Sequence, residues 1–101
     1  MNVGAMNDRG VLAEMGRRVQ VYRLNLNLTQ ATVAEKAGVS RRALQRLETG
    51  EACTLSTLIR VLRALGKLDA LDSFLPEPGL SPLQLAKLRG RERKRASGGR
   101  T

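Results

Sequence analysis

The chain has no histidine, no tryptophan and a single cysteine, Cys53, among its 101 residues. One thiol cannot close an intramolecular disulfide, and without histidine or further cysteines the usual zinc-ligand sets are missing. The same scarcity removes most catalytic constellations, and no paired-carboxylate, phosphate-loop or nucleophile-elbow pattern takes their place. No enzyme activity, metal or cofactor is expected, and Cys53 reads as inert packing. Aromatic residues amount to 2%, so the core must be aliphatic and few stacking platforms exist for single-stranded nucleic acid. No apolar run approaches the roughly 20 residues that span a bilayer. The opening MNVGAMNDRG lacks the basic start and apolar middle of a signal peptide. These absences point to a soluble cytoplasmic protein with no membrane partner.

Acidic residues are also scarce. Nine Asp and Glu stand against eighteen Lys and Arg, a net charge of +9 with an isoelectric point near 11.3. Such an excess favours a polyanionic partner. It is unevenly placed: residues 1–86 carry eleven basic against eight acidic side chains, residues 87–101 seven against one. At 101 residues the chain has room for one small domain with a single modest core.

What is present is helical periodicity. Residues 1–10 are polar and glycine-containing and are expected to fray. From Val11 to Leu24 the apolar positions Leu12, Met15, Val19 and Tyr22 recur every three or four residues, one helical face, with Tyr22 placed in the core. Asn25 and Asn27 break that pattern, and asparagine tolerates the left-handed conformation best among non-glycine residues. Thr54 begins a helix through Leu55, Leu58, Ile59, Leu62 and Leu65 that ends at Gly66. Leu68, Leu71, Phe74 and Leu75 form a further apolar face, stopped by Pro76 and Pro78. Ser81-Pro82 starts a short helix over 82–89, and the basic ending RERKRASGGRT carries no structure of its own. The expected fold is all-α, a compact five-helix domain over 11–75 between a flexible 1–10 and a basic tail, 76–101.

The stretch from Thr29 to Gly50 is the most informative. Thr29 caps one short helix, with Leu28 and Val33 as a hydrophobic staple, and Gly38 ends it. Ser40 caps a second, with Val39 and Leu44 as its staple. Leu44 and Leu47 point inward, while Arg41, Arg42, Gln45 and Arg46 lie mostly on other faces. Two short helices joined by a tight turn are a helix-turn-helix in outline.

Thr29-Gln30, Ala34, Gly38-Val39-Ser40, Leu44, Glu48 and Gly50 together resemble the Cro/C1-type DNA-binding domain of phage repressors, the XRE family, over about Leu12 to Leu75. The resemblance implies a lambda-repressor-like fold and a DNA-binding transcriptional regulator, most often a repressor. It also implies a cytoplasmic, nucleoid-associated protein of bacterial or phage origin. The helix Ser40 to Glu48 would lie in the major groove with its N-terminal residues at base edges. Arg41, Arg42 and Arg46 then fall on the base-reading positions, where a guanidinium donates two hydrogen bonds to guanine. For Arg42 or Arg46 the alternative is a phosphate contact alone. Gln30 would brace its helix N-terminus on a phosphate. Thr29, Ser40, Gln45, Thr54, Leu55 and Ser56 complete the expected backbone contacts. Relatives often have a basic loop where this chain has Glu51, Ala52 and Cys53, which weakens the phosphate clamp there.

Arg23 and Glu48 match a pair that ties the first helix to the end of the reading helix in some relatives; otherwise they are two unrelated exposed charges. Such domains generally bind as two-fold dimers on a palindromic operator. Leu68, Leu71, Phe74 and Leu75 are the candidate dimer surface, or else the lid on the protein's own core. Arg89, Arg91, Arg93, Lys94 and Arg95 form a candidate DNA arm, a segment docking on a partner protein, or a solubilising tail. A small repressor-type domain with a short tail also resembles HipB-type antitoxins, which hold a HipA-type kinase toxin and repress their own operon.

Overall fold

The computed structural model describes residues 3–79 together with 83, 86 and 87. Among these residues every regular element is helical. A short 3-10 turn, Val3–Ala5, precedes α1 (Asp8–Asn25), α2 (Gln30–Ala37), α3 (Arg41–Glu48), α4 (Leu55–Ala64) and α5 (Ala70–Phe74). The all-α, five-helix expectation holds. Leu83, Ala86 and Lys87 are helical as well; the rest of the short helix expected over 82–89 lies outside the described residues.

Each central helix begins on a hydroxyl that satisfies a free backbone N–H. The Thr29 side chain accepts from the Thr32 amide, Ser40 from Ala43 and Thr54 from Thr57. Asn7 does the same for α1, its Oδ1 accepting from Gly10 N at 2.8 Å. Helix α1 therefore starts at Asp8, three residues before the expected Val11. The fraying read from polarity missed a cap that polarity itself supplied. Gly38 closes α2 in the left-handed region at φ 70, and Asn27 reverses the chain after α1 at φ 56.

The core is the aliphatic cluster Val19, Val33, Ala34, Ala37, Leu44, Leu47, Val61 and Leu65, with Leu28, Val39, Leu58 and Ala64 packed against it. Leu44, Val33 and Val61 are its fully buried centre. Both staple pairs are thus in or against the core. The inward face of α1 is rotated from the expected one: Glu14, Gly16, Val19 and Arg23 are buried, whereas Tyr22 is 44% exposed. Instead of entering the core, the Tyr22 ring lies beneath Lys67, whose Nζ is 4.8 Å from its centroid. Cys53 is exposed rather than packed. Leu55 lies outside the core too, at 66% exposure.

Gly16 is the closest point of approach. A Cβ there would overlap the Leu47 carbonyl oxygen and lie 2.8 Å from that of Glu48. The bare backbone is what lets α1 lie against the last turn of α3. Gly50, at φ 87, faces Ala13 in the same region, where a Cβ would come within 2.7 Å of Ala13 Cα.

Glu14 holds two arginines on the surface of α1. Its carboxylate accepts from Arg17 Nε at 3.2 Å, Arg17 Nη2 at 2.9 Å and Arg18 Nε at 2.8 Å. Donation from Arg17 first, then Arg18, lowers the Glu14 carboxyl from the usual 4.5 to about 2.

Gly16→Ala should destabilise the fold by about 2–3 kcal/mol, because the neighbouring atoms are backbone and cannot step aside; urea unfolding followed by circular dichroism measures this. The Glu14 carboxyl is depressed in the folded chain, so its stabilisation is complete above the unfolded value of 4.5 and disappears as the pH falls towards 2. Glu14→Gln should therefore flatten the acid-side loss of unfolding midpoint between those values.

Candidate nucleic-acid interface

The site is built on α3. Eight residues at 3.6 per turn place Arg41, Arg42, Gln45 and Arg46 on a shared outward face, with Leu44 and Leu47 turned into the core. All four polar side chains are exposed. With Thr49 and Glu51 they line an open groove of about 640 Å³. Arg41, Arg42 and Gln45 have no hydrogen-bonding or ionic partner for their side chains among the described residues; Arg46 has only Glu51, 3.9 Å away. A helix face with unpaired cations and an amide suits a surface that presents phosphates and base acceptors.

What holds this face in position is a buried ion pair. Arg23 Nε donates to Glu48 Oε2 at 2.7 Å, and Arg23 Nη2 to Glu48 Oε1 at 3.0 Å. The two side chains are 8% and 1% exposed. The remaining Arg23 Nη1 donates to the Leu28 carbonyl at 2.8 Å, and Gln30 Nε2 donates to Glu48 Oε1 at 3.0 Å. Of the two readings left open by the sequence, the paired one is what the structure contains. The hydrogen bond to Glu48 raises the already high pKa of Arg23, so this arginine stays charged across the experimental range. No buried side-chain nitrogen or oxygen among the described residues lacks a partner.

Apart from Gln45, in the middle of α3, the expected backbone-contacting residues sit at helix starts. Gln30 is the first residue of α2, and Leu55 and Ser56 open α4 behind the Thr54 cap. Gln30 has an inward partner that the sequence did not reveal, since its amide nitrogen is engaged by Glu48. Thr29 and Thr54 also bond to the hydroxyls of Thr32 and Thr57, each at 3.0 Å. The candidate dimer residues belong to α5 and its flanks. Leu68 and Leu71 are half-buried, while Phe74 and Leu75 are 71% and 78% exposed. The arm residues Arg89, Arg91, Arg93, Lys94 and Arg95 lie outside the described residues.

A helix-turn-helix family model, HTH_3, matches residues 19–71, slightly more than half of the chain. The protein belongs to the Cro/C1-type helix-turn-helix family. It is a DNA-binding transcription regulator of that family. No curated protein matches the chain. The matched span runs from the core residue Val19 through the ion pair and the α3 groove to Leu71 in α5. Residues 8–18 of α1, about three turns that include Gly16 and the Glu14 cluster, precede it. No helix among the described residues is long and apolar enough to cross a membrane.

Sequence reasoning missed Gly16, Glu14 and the inward bond of Gln30. A glycine in the middle of an otherwise regular helix was the available signal for the first. The spacing of Glu14 to Arg17 and Arg18, at i+3 and i+4, was the signal for the second.

Removing one partner of the buried pair leaves the other charged and uncompensated. Arg23→Ala or Glu48→Ala should therefore cost about 3–5 kcal/mol in unfolding free energy, measured by chemical denaturation.

Proposed function

We propose that this chain is a repressor-type regulator that inserts α3 into the DNA major groove and acts as a homodimer on a two-fold operator. The observation that carries the reading is the α3 groove, where Arg41, Arg42, Gln45 and Arg46 are exposed while the helix beneath them is fixed by the Arg23–Glu48 pair. Arg41, Arg42 and Arg46 read base edges, and a guanidinium matches O6 and N7 of guanine, so each half-site contains guanine. Thr29, Gln30, Ser40, Thr54, Leu55 and Ser56 set the helix on the phosphate backbone, using the free N–H groups at the starts of α2, α3 and α4, and the Gln45 side-chain amide adds a contact from the middle of α3. The exposed Phe74 and Leu75, continued by Leu71 and Leu68, supply the dimer contact.

The basic run Arg89, Arg91, Arg93, Lys94 and Arg95 adds phosphate neutralisation without base selectivity. The likeness to HipB-type antitoxins suggests a second use of the C-terminal segment, holding a kinase toxin.

Selection of bound duplexes from random DNA should return a palindrome with guanine in each half. Arg41→Ala and Arg46→Ala should each weaken binding to it by roughly tenfold or more, and relax the preference at one position per half-site. Unaltered affinity and base preference in both variants would refute the placement of α3. Phe74→Asp should shift the protein from dimer to monomer in sedimentation equilibrium. Deleting residues 87–101 should lower the slope of log affinity against log salt, by roughly 0.9 for each phosphate that the arm neutralises.

A further inference from the structure

The α3 groove contains a carboxylate. Glu51 lines it beside Arg41, Arg42, Gln45, Arg46 and Thr49, and its Oε1 lies 3.9 Å from Arg46 Nε. The position is built by the backbone. The Glu51 amide donates to the Arg46 carbonyl at 2.9 Å, and Gly50 sets the turn at φ 87 while seated against Ala13. Both side chains are more than half exposed, so the pair adds little to stability. On arbitrary DNA the acid is unfavourable, because it opposes the phosphate attraction that the neighbouring arginines provide.

We propose that Arg46 and Glu51 act together as a reader of one G·C base pair. Arg46 donates to guanine, and Glu51 accepts from the N4 amino group of the paired cytosine. In the major groove a G·C pair presents the acceptors O6 and N7 on one base, next to the N4 donor on the other. A guanidinium and a carboxylate side by side present the complementary order, donor then acceptor. A C·G pair inverts the match, and an A·T pair sets the adenine N6 donor against Arg46 and the thymine O4 and methyl group against the carboxylate. A T·A pair satisfies the carboxylate at N6 but gives Arg46 the single acceptor O4 beside the thymine methyl group in place of two acceptors. The carboxylate thus penalises bare phosphate and the C·G and A·T pairs, Arg46 rejects T·A for want of its second acceptor, and only G·C satisfies both side chains in full. Specificity gained by penalising competitors is as effective as specificity gained by added attraction. This inference rests on α3 being the groove-reading helix.

The test uses the full chain and three kinds of duplex: the selected operator, variants with each base pair replaced in turn, and a scrambled sequence. Wild type, Arg46→Ala, Glu51→Ala and Arg41→Ala are titrated against all of them, with thermal midpoints recorded to confirm folding. Glu51→Ala should bind scrambled DNA several-fold more tightly and the operator no more tightly. Its operator-to-scrambled ratio should fall by roughly fivefold or more, the discrimination of about one base pair. The base pair at which it loses discrimination should be the one at which Arg46→Ala loses it. An equal gain on operator and scrambled DNA would make Glu51 a mere charge and overturn the proposal. So would relaxation at a different base pair, or no change in the ratio. Loss of base preference in Arg46→Ala with none in Glu51→Ala refutes the paired reader alone. Full base preference in both arginine variants instead refutes the placement of α3, and the inference with it.

Discussion

The bidentate pair between Arg23 and Glu48 is the constraint on which the position of α3, the proposed reading helix, depends. Glu48 is the last residue of α3, and Arg23 lies in the last turn of α1. A single carboxylate accepts from Arg23 and from Gln30 at the start of α2, and the same guanidinium holds the Leu28 carbonyl just before it. Three helices therefore meet at two side chains. Buried charges of this kind contribute little net stability, because desolvation offsets most of the attraction. They are unforgiving of geometry, however, and geometry is what the proposed reading role of α3 needs. The Gly16 contact with the Leu47 and Glu48 carbonyls acts at the same point by sterics. The C-terminal end of α3 is thus fixed by charge and close packing together.

The other end is held differently. Ser40 caps α3, and Val39 packs against the cluster containing Leu44. Those devices are local, and their chemistry is written in consecutive residues. That is why the turn, the caps at Thr29, Ser40 and Thr54, and the left-handed Gly38 and Asn27 could all be read from the chain. The outward set of α3 was legible for the same reason: over eight residues, periodicity leaves few choices once Leu44 and Leu47 are inside.

Long-range features were much less legible. The inward face of α1 could not be placed by hydrophobicity, because two of its buried residues, Glu14 and Arg23, are charged and a third, Gly16, has no side chain. An apolar pattern that includes Tyr22 is displaced from the true face. What decides the rotation is the need of Arg23 to reach Glu48, twenty-five residues away. Val61 shows the same limit. It is fully buried at the centre of the core, while Leu55, six positions earlier on the same helix, is exposed. One stripe of leucines does not say which of them α2 will cover.

The division between fixed backbone and unpaired side chains bears on how binding is distributed. The helix under the groove is held by caps, packing and the ion pair, so little backbone ordering remains to oppose association. Arg41, Arg42 and Gln45 are not held and Arg46 is only loosely paired with Glu51, so in the proposed complex their rotamer entropy is lost only when a base or phosphate engages them. Interactions that must overcome this cost favour sites satisfying several side chains at once, which makes discrimination steeper than any single contact. The charge outside the groove acts otherwise. Seven of the eighteen basic residues fall in 87–101, and cations in such a run attract any phosphate without regard to sequence. On the proposed reading, attraction spread along the chain increases encounters, whereas the groove on α3, with its one carboxylate among the arginines, decides which encounters last.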